Sequence, residues 1–145
     1  MSESIARMQS CVERYQEAMD RVVAGLRPGD GILGFGNDPR RSPYHKDFYD
    51  EMGRLAGRLA GGEWPAEEAG AAAEFLLTMG EQFGSRLTRP MMEAAQGHVL
   101  ILVPLLTCEQ AEKLARSYAA CYPRRKRLPI QDKVLLALEK RARNR

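Results

Sequence analysis

Residues 3–26 read ESIARMQSCVERYQEAMDRVVAGL, and their apolar side chains recur alternately three and four positions apart. That spacing predicts one apolar stripe along an α-helix of about six turns. The stripe consists of Ile5, Met8, Val12, Tyr15, Met19, Val22 and Leu26. The same spacing satisfies a heptad seam, so the helix can pack within a bundle or join two copies of the chain as a homodimer. Packing within the chain is the favoured interpretation.

Five further helical segments are predicted downstream, and each begins at a proline or a capping residue. The start signals are Ser42-Pro43, Trp64-Pro65, Thr88 to Pro90, the capping box of Thr107 with Gln110, and Pro129. No composition shift marks a boundary between them. The sequence therefore predicts an all-α protein, a single domain over 1–145 built as a bundle or orthogonal array of about six helices.

The fourth segment is apolar nearly all round, because Leu100, Ile101 and Val103 accompany the inward stripe of Met91, Ala95, Val99 and Leu102. This pattern is typical of a central, buried helix. A short strand over 99–103 is the alternative, since a short apolar run does not reveal its period.

Glycine recurs every fourth residue in the second helix, at Gly53, Gly57 and Gly61. Each interior glycine costs a helix up to about 1 kcal/mol relative to alanine. The repeat therefore predicts a close approach of another backbone to this helix.

Composition and patterning indicate a cytoplasmic protein without a membrane span. The longest apolar run, Val99 to Leu106, is interrupted by Pro104 and is far shorter than the roughly 20 residues that cross a bilayer. Charges are distributed through the first 26 residues, which excludes a signal-peptide core. The three cysteines form no CxxC or Cys/His cluster, so we expect reduced thiols.

A long Gly/Arg loop at 27–41 precedes the second helix. Loops of this length are commonly functional or disordered. Its glycines can turn backbone N–H groups toward an anion, and the N-terminus of the second helix favours negative charge. The residues of this candidate anion or ligand site are Asn37, Asp38, Arg40, Arg41 and His45. The alternative is a structural loop, packed on the bundle through Ile32, Leu33 and Phe35.

No catalytic or metal-binding spacing is present, so we expect no catalytic residues, metal or cofactor. His45 and His98 lie on or beside predicted buried faces and belong to no HxxxH, HExxH or ExxH pair. Cys108 falls in the first turn of the fifth helix, where the helix dipole favours a thiolate. A thiol without catalytic use is the favoured interpretation.

The basic C-terminal end at 122–145 carries nine Lys and Arg against Asp132 and Glu139, a net charge of +7, whereas 1–121 carries −4. The predicted partner surface is Arg124, Arg125, Lys126, Arg127 and Lys133. Such a surface attracts an acidic protein or nucleic acid. These features favour a non-enzymatic binding module. The alternative is a small-molecule or anion-binding protein, an enzyme included, with its site at the Gly29–Arg41 loop and the N-terminus of the second helix.

Overall fold

A computed structural model describes residues 2–25 and 43–144, and every regular element in those two ranges is helical. The α-helices are α1 (Glu3–Ala24), α2 (Pro43–Ala60), α3 (Ala69–Phe83), α4 (Arg89–Ala95), α5 (Val99–Leu102), α6 (Cys108–Cys121) and α7 (Pro129–Arg143). Short 3-10 helices span Ala66–Glu68, Gln96–His98, Val103–Leu105 and Arg124–Lys126. The prediction of an all-α bundle or array is confirmed.

The predicted fourth helix is one winding segment, Arg89 to Leu105, in which α4 and α5 alternate with 3-10 turns. The strand alternative for 99–103 is wrong, because these residues continue the helical path. Pro104 lacks an N–H donor, which suits the final change to 3-10 geometry. The segment contacts α2, α3 and α7 and is therefore central. Its burial is not complete, since Ile101 is 38% exposed.

The apolar stripe of α1 is used inside the chain. Met8, Val12, Tyr15 and Met19 are buried in the common core, and α1 packs mainly on α2. Ile5 and Val22 are half-buried at the ends of the stripe. The central part of the heptad seam is therefore buried within the chain, and Leu26, the last residue of the predicted stripe, lies outside the described residues. A homodimer through this helix stays a prediction.

The start of α6 follows the sequence signal closely. The hydroxyl of Thr107 accepts the Gln110 N–H at 3.1 Å, and the Gln110 side chain accepts the Thr107 N–H at 2.9 Å. This reciprocal pair satisfies two donors that a helix start otherwise leaves without partners. α6 then packs along α7 as an antiparallel pair, which places residues 124–126 at the turn between them.

Gly53 and Gly57 on α2 have different surroundings. A methyl group at Gly53 would lie 2.7 Å from Cε1 of His98, whereas one at Gly57 would meet no atom within 4 Å. The predicted close approach is therefore real at Gly53, but the approaching group is an imidazole ring and not a backbone.

Candidate functional site

The turn between α6 and α7 presents three consecutive cations to solvent. Arg124, Arg125 and Lys126 form a 3-10 turn and are all exposed, and the N–H of Lys126 donates to the carbonyl of Pro123 at 2.9 Å. Pro123 ends the preceding helix and starts this turn. The three side chains thus project from a short, hydrogen-bonded turn.

A buried polar network anchors the chain just before this turn. Gln96 is fully buried, and its Nε2 donates to the carbonyl of Leu77 at 3.2 Å and to the Tyr122 hydroxyl at 2.9 Å. The Tyr118 hydroxyl donates to Gln96 Oε1 at 2.7 Å. Burial raises the pKa of both tyrosines, which keeps their hydroxyls protonated. Because every polar group has a partner, the network fixes Tyr122 and with it the base of the turn.

Arg127 differs from its three basic neighbours. Its side chain is only 13% exposed. Its Nε donates to the carbonyl of Tyr122 at 3.1 Å, and its Nη1 donates to Asp132 at 3.2 Å. The sequence pattern grouped Arg127 with the partner surface, but the guanidinium ties the turn to the start of α7. A run of basic residues does not reveal which of its arginines makes such contacts, although both partners lie only five residues away.

The outer face of α7 continues the positive charge. Lys133, Lys140 and Arg143 are exposed, and among the described residues none of them lies within ion-pair distance of a carboxylate. Their spacing of seven and three residues places them along one side of the helix. Leu136 lies between them on the same side and is 63% exposed. The sequence contained a signal for this leucine, since it falls outside the inward stripe of Ile130, Val134 and Leu138.

A cavity lies beside His45 at the start of α2. It has a volume of about 1020 Å³. Its described lining is Asp20, Val23, Ala24, His45, Ser85, Arg86, Leu87, Pro90 and Met91. Tyr15 stacks on Phe48 with ring centroids 4.4 Å apart, and its hydroxyl lies 2.5 Å from His45 Nδ1. Burial raises the pKa of Tyr15, so the hydroxyl remains protonated and able to donate.

Four of the five residues predicted for the anion site lie outside the described ranges. These are Asn37, Asp38, Arg40 and Arg41. Only His45 is described, and the structure adds Ser85 and Arg86 from the α3–α4 connection to its surroundings. Sequence reasoning missed both additions, because they are distant from the loop in the chain and carry no local signal.

His98 is part of the helix packing. Its Nε2 lies 2.9 Å from the carbonyl oxygen of Tyr49, and the two rings are 4.3 Å apart. Burial lowers the pKa of His98. Within 2–25 and 43–144, no group of three or more His, Cys, Asp or Glu could hold a metal ion.

The three cysteines are free thiols in different settings. Cys11 is buried, and burial raises its pKa to about 12, with a further contribution from Glu51. Cys108 begins α6 as predicted, and its Sγ lies 3.0 Å from the carbonyl of Asn144 and 3.7 Å from Arg141 Nη1. Cys121 is exposed, with Sγ 3.5 Å from Glu81.

In the described part of the chain, no helix combines the length and the apolar character needed to cross a membrane. No protein-family model, curated protein or solved structure matches the chain.

Proposed function

We propose that the chain is a non-enzymatic helical binding module that holds an anionic macromolecule, an acidic protein or a nucleic acid, on its basic C-terminal surface. We call this surface the basic face. It consists of Arg124, Arg125, Lys126, Lys133, Lys140 and Arg143.

One observation carries the proposal: among the described residues, no cation of the basic face has a carboxylate partner. Many cations elsewhere are paired, namely Arg7, Arg14, Lys46, Arg58, Arg89 and Arg116. Arg21, Arg54, Arg86 and Lys113 also lack an ion pair in the described ranges, but they are distributed over several elements. Unpaired cations concentrate in the α6–α7 turn and along α7.

Exposed cations without internal partners keep their hydration and counterions until an anion arrives. A polyanion that contacts several of them releases its own condensed counterions, so affinity decreases steeply with salt. If four to six contacts form on duplex DNA, the association constant should fall roughly 100-fold to 1,000-fold between about 50 and about 200 mM salt. Such a dependence distinguishes charge-driven binding from binding in an apolar pocket.

The experiment is fluorescence anisotropy with two labelled anions, duplex DNA of about 20 base pairs and polyglutamate, at these two salt concentrations. The triple variant Arg124→Gln/Arg125→Gln/Lys126→Gln should weaken binding of both. Lys133→Gln should weaken it by a smaller factor.

Lys46→Gln is the matched control for Lys133→Gln, because Lys46 is also an exposed lysine, lies on α2 and is paired with Asp50. The control should leave binding unchanged. Absence of binding to both anions at about 50 mM salt would overturn the proposal, as would equal losses from Lys46→Gln and Lys133→Gln.

The cavity beside His45 favours a second candidate function, the binding of a small anion or phosphorylated molecule. Its volume of about 1020 Å³ is at the upper limit for ligand sites, and Arg86, Ser85 and His45 supply polar groups. Phosphate or nucleotide at millimolar concentration should then raise the melting temperature, and Arg86→Gln should reduce that increase. No increase with any of these ligands would exclude this function.

A further inference from the structure

We infer that the partner of the basic face is an acidic protein segment that also carries apolar side chains, and that Leu136 is the apolar contact it covers. The inference rests on the proposed function and specifies the chemistry of the partner. Its evidence is the placement of leucine among the unpaired cations.

Leu136 is the most exposed large hydrophobic residue of the described chain, at 63%. Val134 and Leu138 on the inward side of α7 are fully buried and already pack that side against the core. Leu136 therefore contributes little to the fold. Single exposed leucines are common on protein surfaces, so the neighbours of this one decide its interpretation.

Those neighbours are the cations of the basic face. Lys133 precedes Leu136 by three residues and Lys140 follows it by four, which are the spacings of adjacent side chains on a helix surface. Leu128, at the start of α7, is 48% exposed and follows Lys126 by two residues. At about 1.5 Å per residue, the two leucines lie roughly 12 Å apart along α7, and Lys133 and Lys140 flank Leu136. The face alternates apolar and positive groups.

This alternation matches an acidic amphipathic segment better than a nucleic acid. Interfaces with nucleic acids are polar and strongly positive, and a phosphate backbone offers leucine no apolar contact. Stacking of unpaired bases requires aromatic side chains. The exposed aromatic residues of the described chain, Tyr44 and Tyr49, are instead on α2.

Glu139 supplies a further argument. It is exposed, three residues after Leu136, and no cation of the described residues pairs with it. A continuous phosphate backbone would meet this carboxylate with like charge. A protein segment can place an uncharged or basic side chain opposite it. The observed charge pattern therefore favours a partner with discrete acidic residues.

The experiment uses the full chain and three labelled molecules at about 50 mM salt. The first is a helical peptide of about 20 residues with leucines on one side and glutamates flanking them. The second is the same peptide with glutamine in place of leucine, and the third is duplex DNA. The protein variants are Leu136→Gln and, as a control on α5, Ile101→Gln, whose isoleucine is also exposed and lies outside the basic face and the cavity beside His45.

The leucine peptide should bind more tightly than the glutamine peptide, and Leu136→Gln should reduce the affinity for the leucine peptide about tenfold. Leu136→Gln should leave the affinities for the glutamine peptide and for DNA unchanged, and Ile101→Gln should leave all three affinities unchanged. An unchanged melting temperature for Leu136→Gln shows that the fold is retained.

Three results would overturn the inference. If Leu136→Gln does not affect the leucine peptide while all three molecules bind, the basic face is a general polyanion surface and the proposed function stands alone. If sedimentation shows self-association that Leu136→Gln abolishes, the occupant is a second copy of the chain. If no molecule binds, the proposed function itself fails.

Discussion

Replacing Gly53 of α2 by alanine should destabilise the protein, although alanine is the better helix residue. In a helix interior the change from glycine to alanine contributes about 1 kcal/mol of stability. At Gly53 the added methyl group would lie 2.7 Å from Cε1, 3.0 Å from Nδ1 and 3.1 Å from Nε2 of His98. Carbon atoms in contact prefer about 3.5–4.0 Å, so the ring or the helix must move.

The ring is not free to move away. Its Nε2 lies 2.9 Å from the Tyr49 carbonyl oxygen, and the Tyr49 ring packs against it at 4.3 Å. Forcing an extra methyl group into a packed site costs about 1–3 kcal/mol. Subtracting the gain in helix propensity leaves a net loss of about 1 kcal/mol for Gly53→Ala.

Gly57→Ala is the matched control, since it lies one turn further along the same helix and its methyl group would meet nothing within 4 Å. It should stabilise the protein by up to about 1 kcal/mol. For a chain of this size the two variants should melt roughly 5–10 °C apart in far-UV circular dichroism, with the wild type between them.

A His98→Ala background provides the second control. Without the imidazole, Gly53→Ala should become stabilising by the same amount as Gly57→Ala. If the two alanine variants shift the melting temperature equally in the wild-type background, the contact between α2 and His98 is not formed as described, and the reasoning fails.

Three other predictions concern single side chains. Burial lowers the pKa of folded His98 below its ordinary value of 6.5, so the stability that neutral His98 contributes is present above about pH 6.5 and is lost as the pH falls. Urea unfolding should therefore give a lower free energy of unfolding at pH 5 than at pH 8, and His98→Gln should reduce this difference. An identical difference in that variant would contradict the assignment. Burial raises the pKa of Cys11 to about 12, so maleimide at pH 8 should label exposed Cys121 and should not label Cys11 until the protein unfolds. Mass spectrometry measures the labelling of each cysteine, and equal labelling would contradict the burial of Cys11. Arg127→Gln should lower the free energy of unfolding by about 1–2 kcal/mol, because it removes two hydrogen bonds. Arg124→Gln should change it by less than about 0.5 kcal/mol. Equal effects of the two variants in chemical unfolding would refute the anchoring role of Arg127.

The fold class was predictable because its signals are local. The stripe of α1 and the capping box of Thr107 and Gln110 are properties of a few neighbouring residues, and the structure contains both. The winding path of Arg89–Leu105 was not predictable, since contacts with α2, α3 and α7 shape it from a distance.

The candidate sites show the same division. A run of basic residues predicted the exposed turn, but it could not separate Arg127 from its neighbours. Whether an arginine reaches Asp132 and the carbonyl of Tyr122, each five residues away, depends on the geometry of the turn and not on composition. Similarly, the glycine spacing predicted a close approach at Gly53 without identifying His98, which lies far away in the chain. Contacts between distant residues leave no periodic pattern.

The most direct test of the central claim is a backbone amide NMR titration of the full chain with the leucine-containing acidic peptide. We predict that the largest shifts occur in the α6–α7 turn and on the outer side of α7, at Lys126, Lys133, Leu136 and Lys140, and that they diminish as salt is added. Shifts concentrated around His45 and Arg86, or no shifts at all, would contradict the account.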